Sequence, residues 1–182
     1  MGKQVRDLDV NDEAGALAAI ESESPVSGTS VDSFSLTLVP GYAISIDMTA
    51  RNVQNEAKKK GLPWDIAKGF DTFLPLSKII QKSAIADPHN VEVFLTVNGE
   101  DRQRDSTELM LFRIPRILSD ISKVMTLEEG DIVLTGTPKG VGSVVPGDVM
   151  RAGIKIDGKE LEEGKIEVKV EESTSSYEYA ET

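Results

Sequence analysis

Apolar residues recur along this chain with two different periods, and the switches between them mark out its elements. The alternation Val91, Val93, Leu95, Val97 has the period of a half-buried strand, and it ends in Asn98-Gly99, a dipeptide suited to a tight hairpin. "YAISID", residues 42–47, predicts a second apolar strand. In "IPRILSDISKVM" the period lengthens. Ile114, Ile117, Leu118, Ile121, Val124 and Met125 fall on one helical face, with Pro115 in the first turn. "TARNVQNEAKKKG", residues 49–61, also predicts a helix, closed by Gly61, with Lys58, Lys59 and Lys60 at the negative end of its dipole. "DIVLTGTPKGVG", residues 131–142, runs from a strand into a glycine-rich turn, and residues 148–170 supply two more strands around Asp157-Gly158.

The other segments are less periodic. Residues 10–20, "VNDEAGALAAI", predict a short helix capped by Asn11 or Asp12. Residues 21–40 are rich in Ser, with Pro25, Gly28 and Pro40, and read as a linker or disordered loop; the alternation of Phe34, Leu36 and Leu38 leaves a short edge strand open there. The tail from residue 173 to 182 is expected to fray. Strands with two or three helices predict a β-rich α+β domain rather than a regular βαβ fold.

Composition narrows the partners more than the fold. At 182 residues and 39% hydrophobic content, one domain with a sizeable core is expected. The net charge of -11 argues against nucleic acid, which needs a basic footprint. No apolar run is long enough for a transmembrane helix, so no membrane partner is expected. The first residues, "MGKQVRDLDVNDE", have neither an apolar signal core nor the composition of a transit peptide. With no cysteine, any metal would rest on oxygen ligands, which favours Mg, Mn or Ca.

Against that background Asp47 stands out, because a carboxylate at the end of an apolar strand needs a compensating partner. Two readings stand. It caps the following helix or pairs with Arg51, or it ligates a hard cation. Arg51 and Gln54 are three apart and share a helix face suited to a substrate carboxylate or carbonyl. Lys68, in a stretch that Pro63 and Trp64 make rigid and apolar-anchored, would stabilise an enolate or oxyanion if held in a dry site, and otherwise is a solvated surface residue. Gly136, Thr137 and the glycines after them either offer N–H and hydroxyl donors to a small anion or form a tight turn between strands. His89, the only histidine, reads as a turn residue, which leaves no base for a histidine triad. Glu21 and Glu23 form a Glu-x-Glu pair in the Ser-rich run, where a metal role is not expected.

Three stretches taken together carry a resemblance. "DMTARNVQNEAKKKGLPWDIAKGFDTF", "VNGEDRQRDSTELMLF" and "LEEGDIVLTGTPKGVG" resemble, in order and spacing, the fumarylacetoacetate hydrolase family, in its branch of small acylpyruvases and oxaloacetate tautomerases or decarboxylases. The match covers residues 41–172, and "MGKQVRDL" is similar to the strand after the family's main metal motif. The resemblance implies a mixed β-sandwich roll, usually homodimeric, with Mg2+ or Mn2+ and with 2,4-dioxo acids or oxaloacetate-like 2-oxo acids as substrates. It implies Asp47 as a metal ligand, Arg51 and Gln54 beside the substrate, Lys68 on the enolate, and Thr137 with Gly136 on the substrate carboxylate. It also implies a mitochondrial or cytoplasmic setting.

Two departures shape the expectation. The family's Glu-x-Glu metal pair and its lid His and Glu have no counterpart here, and Glu21 and Glu23 follow "MGKQVRDL" rather than precede it. The stretch before "GYAISIDMT" is also longer than in the family, the excess coinciding with residues 21–40. The expected organisation is a remnant of an N-terminal strand and helix region at 1–20, an insertion or linker at 21–40, a catalytic domain at 41–172 and a flexible tail at 173–182. A late start at an internal Met and a wrongly spliced segment are the expected cause. With one metal carboxylate remaining, little or no metal-dependent turnover is expected, and the alternative is a non-catalytic partner of a full-length homologue.

Overall fold

The computed structural model describes the backbone at residues 3–4, 10–12, 14–19, 34–173 and 177–179, and the side chains at 36–173 and 177. In chain order, β1 (Lys3–Gln4), β2 (Val10–Asp12) and β3 (Ala14–Ala19) come first. One helical turn, α1 (Phe34–Thr37), leads into β4 (Gly41–Ile46) and β5 (Thr49–Ala50). Helices α2 (Arg51–Lys60) and α3 (Asp65–Lys68) and strand β6 (Ile80–Gln81) follow. The hairpin of β7 (Glu92–Val97) and β8 (Glu100–Ser106) precedes α4 (Ile114–Ser122) and β9 (Ile132–Leu134). The chain closes with β10 (Gly142–Ser143), β11 (Val149–Ile156), β12 (Lys159–Glu160), β13 (Ile166–Lys169) and β14 (Glu178–Tyr179).

Two sheets enclose the core. One is four-stranded, in the order β6-β4-β3-β9; the other is built on β12-β11-β7-β8, with β13 also paired to β11. Ile44 and Ile46 of β4 meet Val93, Leu95, Met150, Ala152 and Ile154 of β7 and β11 in one buried cluster. The alternating residues of β7 thus face this core as their period requires. Phe94 points the other way and is nonetheless buried, because Arg104, Arg151 and Lys155 lie over its ring at 4.9, 5.3 and 5.0 Å. The Asn98-Gly99 and Asp157-Gly158 turns both have positive φ at each central residue, the conformation of tight hairpins.

Helix α2 ends as its sequence predicts, at Gly61 in the left-handed region, with three lysines in the last turn. Elsewhere the local reading is corrected. Within the stretch read as a helix, Val10–Asp12 and Ala14–Ala19 are strands, because β3 pairs with β4 on one edge and β9 on the other. A central position in a sheet overrides the helix propensity of its alanines. Phe34–Thr37 is a helical turn, not an edge strand. α4 stops at Ser122, so Val124 (82% exposed) leaves the apolar face, while Ile114 and Leu118 stay buried on it. The tail does not simply fray, for Glu178–Tyr179 pairs with Lys3–Gln4, and Tyr177 packs edge-on against Phe70 at 5.2 Å. Most of the Ser-rich run, including Glu21 and Glu23, lies outside the described residues.

Candidate active site

Strand β4 delivers Asp47 at its C-terminal end, and the answer to its burial is a lysine. Lys68 Nζ donates to Asp47 Oδ2 at 2.7 Å and to Thr49 Oγ1 at 2.7 Å. Asp47 and Thr49 are two apart on extended backbone and therefore project to one side. Thr49 is fully buried, and the Asp47 and Lys68 side chains are 27% and 26% exposed, so the pair is half-buried rather than on the open surface. Lys68 reaches it from the last turn of α3, whose C-cap Gly69 returns its N–H to Asp65. Trp64 does not anchor that stretch in the core, being 47% exposed. The cap reading of Asp47 fails as well, since the N-cap of α2 is Ala50, which makes no side-chain cap.

Arg51 and Gln54 meet on the first turn of α2, where Arg51 Nη1 donates to Gln54 Oε1. Gln54 is buried, and this bond engages its carbonyl and turns its amide N–H2 the other way. Arg51 follows β5 directly, which puts this pair beside the Asp47–Lys68–Thr49 group along the chain.

The glycine-rich turn rests on β8. Gln103 Nε2 donates to Thr137 Oγ1 at 2.8 Å and to the Pro138 carbonyl at 2.7 Å. Gly140, with φ +107°, comes so close to β8 that a Cβ would lie 2.0 Å from the Arg102 carbonyl oxygen. Only glycine satisfies both conditions.

Sheet topology brings the two groups to one end of the fold. β4 and β9 are each antiparallel to the intervening β3, so they run parallel to each other. Asp47 follows β4, and Thr135, Gly136 and Thr137 follow β9, so both loops leave the same end of the ladder. A second ladder repeats the link: Asn11 of β2 lies opposite Thr49 of β5 and opposite Ser143 of β10. Two strand spacings, about 10 Å, separate those outer strands.

A protein-held divalent cation needs several oxygen ligands. Asp47 supplies one carboxylate, and its Oδ2 carries the Lys68 ammonium. Among the described residues, no three His, Cys, Asp or Glu side chains gather as a metal site. That donor set does not fit a metal held by protein ligands, and the fixed positive charge at this centre is Lys68.

Thr49 and Gln103 were not evident from the sequence. The i, i+2 spacing from Asp47 is the signal that would have found Thr49. Gln103 had none, because every residue of β8 is polar. His89 forms the expected turn and also accepts the Ile114 N–H through Nε2 at 3.0 Å, bonding an otherwise orphan donor in the first turn of α4.

Comparison with known proteins agrees with this fold. The sequence profile of the fumarylacetoacetate (FAA) hydrolase C-terminal family matches residues 13–171. The mitochondrial oxaloacetate tautomerase oaa1 of Schizosaccharomyces pombe is 56% identical over 137 residues, which is 75% of this chain and 62% of that protein. The mitochondrial oxaloacetate tautomerase FAHD1 of Bos taurus is 59% identical over 116 residues, 64% of this chain and 52% of that protein. The chain therefore spans between half and two thirds of the length of these relatives. In structure, yeast ynq8, a fumarylacetoacetate hydrolase family protein, superposes with a TM-score of 0.88 at 36% identity, covering 96% of this chain and 72% of that one. A fumarylpyruvate hydrolase from Pseudomonas aeruginosa, in complex with Mn2+ and pyruvate, superposes with a TM-score of 0.81 at 32% identity, covering 91% and 67%.

Proposed function

The chain belongs to the fumarylacetoacetate hydrolase family, and on that premise we propose that it binds small 2-oxo acids at the shared end of β4 and β9 and stabilises their enolate form. The observation that carries this reading is Lys68 Nζ, held at 2.7 Å from both Asp47 and Thr49 at a strand end. A cation already fixed by two partners needs little reorganisation when negative charge develops on a 2-oxo oxygen. In this reading Thr137 and the Gly136 N–H receive the substrate carboxylate. Arg51 and Gln54 line the substrate between, Gln54 through its amide N–H2.

The enolate is common to three reactions. Tautomerisation moves a proton from C3 to the 2-oxo oxygen. Decarboxylation of oxaloacetate breaks the C3–C4 bond, releases CO2 and leaves the enolate of pyruvate. Hydrolysis of an acylpyruvate adds water to the distal carbonyl and breaks a C–C bond, with the enolate as leaving group. The names of the relatives at 56% and 59% identity favour oxaloacetate tautomerisation. They also support a mitochondrial setting. Mn2+ in the fumarylpyruvate hydrolase relative supports a divalent ion, Mg2+ or Mn2+, in the family's chemistry.

A second reading, binding without turnover, is favoured by one observation: among the described residues, a single carboxylate, Asp47, already ion-paired, is what this centre offers a cation. In that reading the chain is a non-catalytic partner of a complete homologue. Pyruvate binding followed by ligand-observed NMR tests what both readings share. Wild type binds, and K68M binds about tenfold or more weakly, the loss of one charge-assisted hydrogen bond. Equal binding by K68M sinks the site. Oxaloacetate keto–enol exchange measured with Mn2+ and with EDTA separates the two: turnover that EDTA abolishes supports the enzyme, and binding with no turnover supports the partner.

A further inference from the structure

The turn that follows Lys68 is strained, and a residue from the other end of the chain packs on it. Phe73 N–H donates to the Phe70 carbonyl at 3.1 Å and closes a four-residue turn over residues 70–73. Its third residue, Thr72, has φ +67°. Turns of this kind place glycine there, because the left-handed region crowds a side chain. Asn98 and Asp157, the other non-glycine residues at positive φ among those described, are of types that tolerate it, whereas Thr72 is β-branched. A backbone held in this way persists only where its surroundings fix it.

Contacts at both ends fix this one. Where the turn ends, the Phe73 carbonyl accepts the Met48 N–H at 2.9 Å, one residue from Asp47. Where it begins, the Phe70 ring lies 5.1 Å from the Phe73 ring and meets Tyr177 edge-on at 5.2 Å. Tyr177 comes after residue 171, where the family match ends, and the adjoining Glu178–Tyr179 pairs with Lys3–Gln4. The turn therefore links Lys68, through Gly69, to the strand end that carries Asp47. Its shape sets how a lysine from α3 approaches that carboxylate and Thr49.

We propose that Tyr177 is a positioning residue: its ring braces the strained turn at 70–73 and so holds Lys68 in place for a substrate oxygen. This role rests on Lys68 meeting the substrate. It gives the C-terminal tail, outside the family match, a part in the site.

Pyruvate affinity, followed by ligand-observed NMR, reads the brace. Y177A binds pyruvate about threefold to tenfold more weakly, the range of one aromatic pair, and Y177F, which keeps the ring, binds as wild type does. T72G takes the strain out of the turn, so adding Y177A to it costs less than about twofold. K68M, already a weak binder, is made no weaker by Y177A, because the tyrosine acts through the lysine. A merely structural tyrosine would weaken K68M as well. Equal affinity of Y177A and wild type, or an equal loss in Y177F, overturns the brace. A loss that is undiminished in the T72G or K68M background overturns its route through the turn to Lys68. Pyruvate binding that is absent in wild type, or as tight in K68M, overturns the role of Lys68 and this one with it.

Discussion

Asp47 and Lys68 show how much one ion pair decides. The pair is about a quarter exposed, so its Coulomb gain is screened and its worth to stability is small. D47N is expected to change unfolding free energy by no more than about 1 kcal/mol in a urea titration. The same change weakens pyruvate binding, because Lys68 loses the carboxylate that aims it. His89 gives a prediction in pH. Burial and the nearby Arg113 lower its pKa from the usual 6.5, with Asp87 opposing them. The unfolded chain therefore takes up a proton first as pH falls. Stability from this residue is full at pH above 6.5 and is lost as pH drops from there toward the folded value. Protonation also removes the lone pair that accepts the Ile114 N–H. Urea midpoints at pH about 7.5 and about 5.5 should differ in wild type and differ less in H89A. Since His89 is the only histidine, its ring signals in an NMR titration are unambiguous.

At the scale of elements, the glycine-rich turn depends on its seat against β8. G140A forces a Cβ toward the Arg102 carbonyl at a positive φ and should cost more than about 2 kcal/mol. G130A is the control. Its φ is +90°, but open space surrounds the added Cβ, so strain alone costs about 1 kcal/mol. Thermal melts of the two variants compare them directly. The elements legible in the sequence were those with local instructions: the Asn98-Gly99 hairpin, the Gly61 stop of α2 and the buried start of α4. Ala14–Ala19 misled because its strand state comes from β4 and β9, one of them more than a hundred residues away.

For the whole molecule, charge and surface carry the remaining expectations. We propose a homodimer, supported by apolar side chains left in solvent on both sides of α4, with Leu111 94% exposed before it and Val124 after it. Sedimentation should find a dimer, and L111D/V124D should shift it to monomer. The single carboxylate that the described residues place at the centre gives a further expectation. Millimolar Mn2+ should leave the melting temperature nearly unchanged, since a ligand that binds the folded state weakly stabilises it little. A large rise would show a metal site with more ligands than Asp47.

The sequence by itself determined the β-rich class and the family, because strand period, turn dipeptides and motif spacing are written in neighbouring residues. It left Asp47 between helix cap, Arg51 partner and cation ligand, and it was silent on Gln103. The tertiary structure adds a Lys68 partner for Asp47 and a Thr137 partner for Gln103. Lys68 reaches Asp47 across 21 positions, and Gln103 reaches Thr137 across 34. A hydrogen bond forms where chain paths converge, and the convergence of β4 and β9 on one end of a sheet is a property of the ladder rather than of either segment alone.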